Sequence, residues 1–146
     1  MGKKSKKIVL VFCLLMCWFT MSSQTQKDSL ESIWVNTTIS GSLRFNAIKD
    51  YYYKNTYNKP EEVISLTEYH YQLAKEKGSV KQMGSALNER SYAYYIKGDL
   101  NTSTEVLQQS ISLYKKINEP KNLAVIQSNI GSIYSEQKKY LKAFNS

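Results

Sequence analysis

Few side chains in this 146-residue sequence have the types and spacing that catalysis requires. The only histidine, His70, lies two positions from Glu68, and residues 27–146 contain no cysteine. A nucleophile with its base and orienting group, or a zinc site, therefore cannot be assembled around it. Glu61 and Glu62 are adjacent, so on a helix they face different directions rather than pairing. We interpret His70 as a packed or surface histidine, and we expect no enzyme activity, no cofactor and no metal site.

Motif and charge patterns argue against several other function classes. The chain contains no phosphate-binding loop, dinucleotide-binding, metalloprotease or serine-hydrolase motif. Its formal charge is +8, but Lys3, Lys4, Lys6 and Lys7 cluster at the N-terminus, and without them 16 basic residues face 12 acidic ones. These remaining charges are spread singly, whereas a nucleic-acid-binding protein has a basic stripe or cluster on one face. We therefore expect no nucleic-acid partner.

Residues 1–25 have the organisation of a secretory signal peptide. The N-terminal lysines precede Ile8–Met21, an apolar run of 14 residues in which Thr20 is the only polar side chain. As a helix this run would be about 21 Å long, which is shorter than the roughly 30 Å hydrocarbon core of a bilayer. We therefore expect export to the periplasm or the cell exterior, with membrane contact only through this segment. An uncleaved N-terminal membrane anchor and a buried N-terminal helix are the alternatives.

Residues 26–42 form a polar linker rich in Ser, Thr and Asn. Within it, Leu30, Ile33 and Trp34 lie on one side of a short predicted helix, and Gly41 ends the loop that follows. We interpret Trp34 as a cap that covers the first apolar face of the helices beyond it, with stacking on a ligand as the alternative.

Any binding residues must be positioned by helices, because apolar residues recur at spacings of three and four from Leu43 onward. The predicted fold class is therefore all-α. The predicted helices cover 43–57, 60–77, 79–97, 100–117 and 121–137, and a sixth begins at Tyr140 after a turn at Lys138–Lys139. On the first and fifth helices, the stripe expected to be buried comprises Leu43, Ala47, Ile48, Tyr51, Tyr52, Leu123, Ile126, Ile130, Ile133 and Tyr134.

Three consecutive tyrosines, Tyr51, Tyr52 and Tyr53, point to three faces of the first helix, so they cannot all be buried. An exposed tyrosine in a groove offers contact area to a peptide at a low entropy cost. Partial burial with a solvated hydroxyl is the alternative.

The segment from Gly84 to Ser146 repeats itself at a shift of 40 residues. Ser91 aligns with Gly131, and Ser103 aligns with Ala143. A fixed period of roughly 20–50 residues is typical of repeat arrays. The helix over 100–117 also carries two apolar stripes, which indicates a neighbour on each side. A generic helical bundle with chance self-similarity is the alternative.

The last copy carries a family resemblance. Ile130-Gly131-x-x-Tyr134, with Ala143 nine residues further on, resembles the tetratricopeptide repeat (TPR) signature. The resemblance implies a right-handed solenoid of antiparallel helix pairs. In it, Gly131 permits close helix approach, Tyr134 fills the gap between helices and Ala143 permits tight crossing. The 40-residue spacing is similar to that of longer-period TPR variants.

The resemblance divides residues 43–146 into helix pairs over 43–78, 79–119 and 120–146, of which the third is incomplete. We therefore expect the chain to be a fragment or a truncated product of a larger protein.

The TPR resemblance also implies a protein–protein interaction function, because the first helices of the pairs line a concave groove that grips a peptide or partner. On these helices we interpret five residues as partner-binding: Asn88, Tyr92, Tyr95, Asn129 and Ser132. With its signal peptide, the chain is similar to the sensory TPR region of bacterial membrane regulators, which implies signal transduction. The alternative function is a structural scaffold segment or truncated remnant that self-associates through its unfinished C-terminal helix.

Overall fold

The computed structural model describes residues 27–144, with the side chains of residues 27–138. The predicted signal peptide, residues 1–25, lies outside the described residues. Within 27–144 all regular secondary structure is helical, which confirms the all-α prediction. The helices are α1 (residues 27–34), α2 (Gly41–Asn55), α3 (Pro60–Glu76), α4 (Val80–Ile96), α5 (Leu100–Lys116) and α6 (Pro120–Phe144). No helix in this described part combines the length and the apolar character needed to cross a membrane.

The helix boundaries follow from local chemistry. Pro60 begins α3, where a missing N–H costs nothing, and the acidic first turn of α3 suits the positive end of the helix dipole. Gly78, Gly98 and Asn118 follow α3, α4 and α5 with φ angles of 63°, 82° and 52°. Glycine and asparagine are the residues that adopt this left-handed conformation most readily, so each ends its helix. The predicted and observed boundaries of these helices agree within two residues.

The predicted turn at Lys138–Lys139 is wrong, because α6 continues without interruption from Pro120 to Phe144. The left-handed residues Gly78, Gly98 and Asn118 recur every 20 positions, and the next position in that register is Lys138. Lysine is a good helix former and enters the left-handed region at a cost, so the helix does not end there. The separate sixth array helix expected from Tyr140 is therefore part of α6.

The chain falls into two compact units that divide between Ala47 and Ile48, within α2. In the first unit, Trp34 is buried and its carbonyl oxygen accepts a hydrogen bond of 2.6 Å from Arg44 Nε. Leu43 was expected in the buried stripe but is 57 % exposed, whereas the next two residues, Arg44 and Phe45, are buried in its place.

In the second unit, α4 packs against α3 and α5, and α5 packs against α6. Helix α5 therefore has the two neighbours that its two apolar stripes predict. Its residues Leu107 and Tyr114 join Ile126 and Ile133 of α6 in one buried cluster. Most of the predicted stripe residues in this unit are buried.

Small residues bring α4 and α5 close together at two levels. The Ser91 hydroxyl donates to the Ser103 carbonyl oxygen at 2.8 Å, and the Ser103 hydroxyl returns a 2.8 Å bond to the Ser91 carbonyl oxygen. One level away, the Ser110 hydroxyl donates to the Gly84 carbonyl oxygen at 2.7 Å. A Cβ atom on Gly84 would lie 2.9 Å from Cζ of Tyr114, so only glycine fits there without displacement.

The roles expected for Gly131 and Tyr134 are wrong. A Cβ atom on Gly131 would meet nothing within 4 Å, and Tyr134 is 52 % exposed. The reason is the missing turn: α6 does not fold back at Lys138, so no described helix packs on this face.

Candidate functional site

Side chains of α2, α4 and α6 in the second unit line adjoining depressions that share residues with one another. We call this surface the tyrosine groove. Its lining residues are Lys49, Asp50, Tyr52 and Tyr53 of α2, Thr56 and Tyr57 in the turn after α2, Ser85, Glu89, Ser91, Tyr92 and Tyr95 of α4, Ser103 of α5, and Asn129, Ser132 and Ile133 of α6. Helices α2, α4 and α6 are every second helix along the chain.

The groove contains a small pocket of about 140 Å³ between α4 and α6. Four of the five predicted partner-binding residues line it: Tyr92, Tyr95, Asn129 and Ser132. The fifth, Asn88, accepts a hydrogen bond of 3.2 Å from Asn129 Nδ2. The structure therefore brings all five residues together at one place.

The volume of the small pocket limits what it can hold. Pockets for drug-sized ligands have volumes of roughly 300–1,000 Å³. A cavity of roughly 150 Å³ holds benzene. The small pocket, at about 140 Å³, therefore matches one large side chain of a partner rather than a whole small molecule.

The walls of the small pocket combine two tyrosine rings and Ile133 with four small polar residues. The rings of Tyr92 and Tyr95 are stacked, with centroids 6.1 Å apart and an interplanar angle of 15°. Ser91 and Ser103 also line the pocket, but their hydroxyls already bond to each other's carbonyls, which reduces their demand for a ligand partner. Asn129 uses one amide N–H on Asn88 and has further donor and acceptor capacity.

A tyrosine pair joins the turn after α2 to α4 beside the small pocket. The rings of Tyr57 and Tyr92 meet edge to face, with centroids 5.9 Å apart, and their hydroxyls form a hydrogen bond. Burial, with the neighbouring Tyr57 hydroxyl as a second cause, raises the pKa of Tyr92 to about 12. The Tyr92 phenol is therefore neutral at physiological pH. Tyr53, at the edge of the groove, is 91 % exposed, which confirms that the three consecutive tyrosines are not all buried.

Glu89 lies among these tyrosines, although it is not one of the partner-binding residues predicted from the sequence. Its half-buried carboxylate lines both larger depressions of the groove. Burial raises the pKa of Glu89, whereas a hydrogen bond with the Asn88 side chain and, to a smaller extent, the Lys49 charge lower it. Among the described residues, no cation forms an ion pair with Glu89 within 4.0 Å. Its position three residues before Tyr92, on the same helical face, is the signal that could have identified it.

His70 is a packed histidine, outside the groove. Its Nδ1 lies 3.3 Å from the Tyr52 hydroxyl, and its Nε2 lies 3.3 Å from Oε1 of Gln82. Burial lowers the pKa of His70 to about 4, so the imidazole is neutral at physiological pH. Within the described part of the chain, no three His, Cys, Asp or Glu side chains are grouped so that they could hold a metal ion.

Comparison with known proteins assigns no family: no protein-family model, no curated protein and no solved structure matches the chain. The function of the chain is therefore inferred from the residues and geometry of the groove.

Proposed function

We propose that this protein is an exported protein–protein interaction module that binds an extended peptide, or an extended segment of a partner protein, in the tyrosine groove. The observation that carries this proposal is the small pocket. Four residues that the sequence predicts to bind a partner line a pocket of about 140 Å³, which is the size of one side chain. Exposed tyrosines lie next to this pocket.

In this proposal the array is TPR-like, with antiparallel helix pairs wound into a right-handed solenoid. Two observations support it. Ser91 and Ser103, which align with the signature positions Gly131 and Ala143, are the residues through which α4 and α5 approach. The left-handed helix ends recur every 20 residues, which is half of the 40-residue period. Helices α2, α4 and α6 would then be the groove-side helices of successive pairs.

The binding test uses a displayed library of random peptides and the full chain in a mild detergent, because of the apolar run at residues 8–21. We expect selected peptides to share one large apolar or aromatic residue. Tyr95→Ala and Asn129→Ala should each weaken their binding about tenfold, with unchanged helicity by circular dichroism. The matched control is Tyr134→Ala, an exposed tyrosine of α6 outside the groove, which should have no effect. Equal binding by all variants would refute the assignment of this site.

The composition of residues 1–25 supports export. The proposed role as a sensory part of a membrane regulator depends on that export. Fusing residues 1–30 to a reporter enzyme that is active only outside the cytoplasm tests this point. Activity of the fusion is expected, and replacing Leu14 and Leu15 with Arg should abolish it, because charges oppose membrane insertion. A reporter that stays inactive would contradict export.

A structural scaffold is the second candidate, and exposed apolar residues on α6 favour it. Val125 is 55 % exposed and Tyr134 is 52 % exposed. A scaffold that assembles through these two residues would form concentration-dependent oligomers. Analytical ultracentrifugation of the full chain, with Val125→Ser and Tyr134→Ser as the disrupting pair, separates this candidate from a monomeric binding module.

A further inference from the structure

The strongest unexplained feature of the groove is the carboxylate of Glu89. It lines two depressions that have Tyr52 and Tyr53 in common. A carboxylate that is partly removed from water keeps a strong attraction for a cation, because the local dielectric constant is lower than in water. Its raised pKa reflects this loss of water.

Two cations of α4, the helix that carries Glu89, are engaged with other acids. Lys81 pairs with Glu119 at 2.8 Å, and Arg90 pairs with Glu68 at 2.6 Å. Lys49 is the cation whose charge acts on Glu89, and it lines one of the two depressions with Asp50. It forms no ion pair with Glu89 within 4.0 Å among the described residues. The charge of Glu89 is therefore only partly compensated within the chain.

Aromatic rings complete the surroundings of this carboxylate. Tyr53, Tyr57 and Tyr92 line the depressions together with Glu89, and Tyr53 and Tyr57 are 91 % and 68 % exposed. Ring faces attract cations, and arginine also stacks on them. A carboxylate with several accessible tyrosines around it is thus complementary to a lysine or arginine side chain, whose aliphatic stem contacts the rings while its charged end reaches the acid.

We propose that the depression around Glu89 binds the lysine or arginine side chain of an extended peptide whose large apolar side chain fills the small pocket. This inference rests on the proposed function of the groove and names the class of its ligand. The two sites adjoin, because Tyr92 lines both. A peptide with one basic and one apolar residue can therefore occupy both at once.

The geometry also gives the spacing of the two ligand residues. On α4, Tyr92 and Tyr95 of the small pocket lie three and six positions after Glu89, or about 4.5–9 Å along the helix axis. In an extended chain, side chains two residues apart point to the same side and are separated by roughly 6.7 Å. The recognised pattern is therefore basic–any–apolar, in one of the two chain directions.

The test measures fluorescence anisotropy of labelled, capped pentapeptides with the full chain in mild detergent. The probes are Gly-Lys-Ser-Leu-Gly and its reverse, each with a version in which Gln replaces Lys and a version in which Lys is adjacent to Leu. We expect the Lys–x–Leu spacing in one direction to bind about tenfold more tightly than its Gln version. That factor corresponds to about 1.4 kcal/mol. Added salt should reduce the preference.

Three variants separate the carboxylate from the fold. Glu89→Gln should remove the preference for lysine, whereas the matched control Glu105→Gln, an exposed acid of α5, should retain it. Tyr53→Ala changes a side chain that is 91 % exposed, so it should not affect folding, and it should weaken the Lys peptide two- to threefold. Lys49→Gln should strengthen binding of the Lys peptide, because a competing cation is removed.

The outcomes distinguish this inference from the proposed function. Lys and Gln peptides that bind equally, but both less tightly to Asn129→Ala, would overturn the basic-residue site and leave the peptide groove intact. A lysine preference that survives Glu89→Gln would overturn the role of the carboxylate. Absence of binding by every peptide, and by every library member, would overturn both.

Discussion

Replacing Gly84 with alanine is expected to destabilise the protein, whereas the same change at Gly131 is expected to stabilise it. Both glycines lie inside helices, at α4 and α6. Alanine is preferred over glycine in a helix interior by about 1 kcal/mol, so propensity alone favours both changes. The surroundings of the two positions decide the sign.

At Gly84 the new methyl group would lie 2.9 Å from Cζ and 3.0 Å from Cε2 of Tyr114, which is itself buried. Forcing a buried ring to move costs roughly 1–3 kcal/mol, so the net change in unfolding free energy is a loss of about 1 kcal/mol. At Gly131 nothing lies within 4 Å, so the full gain of about 1 kcal/mol should appear. The two variants should differ by about 2 kcal/mol.

Urea unfolding of the full chain, followed by circular dichroism, measures this difference through the midpoint at constant slope. In thermal unfolding, each variant should shift Tm by about 2–4 °C, in opposite directions. Adding Tyr114→Leu to Gly84→Ala should recover part of the loss, since the clash partner is gone. Equal stabilisation by both alanines would refute close packing at Gly84, and equal destabilisation would refute the open face of α6 at Gly131.

Two further predictions concern buried polar groups. The pKa of His70 falls from its ordinary value of 6.5 to about 4 on folding, so the unfolded chain binds the proton first and stability is lost as pH decreases between these values. At about 1.4 kcal/mol per pH unit, the loss of stability reaches up to about 3 kcal/mol. Urea unfolding at pH 7 and pH 4 should show a smaller difference in unfolding free energy for His70→Gln than for the parent protein. An unchanged difference between the two pH values would contradict this cause. Ser91→Ala and Ser103→Ala should each cost about 1–3 kcal/mol, and the double variant should cost less than their sum, because each serine donates to the other's backbone; strict additivity in the same assay would argue against the reciprocal bonds.

The helices could be predicted from sequence where a residue type fixes the backbone. Pro60, Gly78, Gly98 and Asn118 mark helix boundaries because their chemistry permits few alternatives. The pair Lys138–Lys139 carries no such constraint, so its residue types do not fix a turn there. Lysine in that position extends the helix instead.

Burial was harder to predict, because hydrophobic periodicity identifies a face but not the neighbour that covers it. Leu43 and Tyr134 have the spacing of core residues, yet both are exposed. Similarly, the signature pointed to Gly131 as the position of close approach, whereas the glycine that meets another helix is Gly84. Which glycine is constrained depends on a ring contributed from α5, 30 positions further along the chain.

The groove residues were predictable to the extent that helical spacing places them on one face. Asn88, Tyr92, Tyr95 and Asn129 converge as their positions on α4 and α6 indicate. Glu89 was missed because an acid on a helix is usually solvated, and its partial burial results from the packing of α2 tyrosines that no local pattern reveals.

The reciprocal serine bonds between α4 and α5 fix the register of the two helices along their axes. Apolar side chains tolerate a slip of one helical turn, about 5.4 Å, with modest loss, but such a slip separates both hydroxyl–carbonyl pairs at once. Because Ser91 and Ser103 also line the small pocket, the serine bonds are part of the pocket wall. The serine bonds thus hold the α4–α5 side of the small pocket in one register, next to the α4 tyrosines that line it.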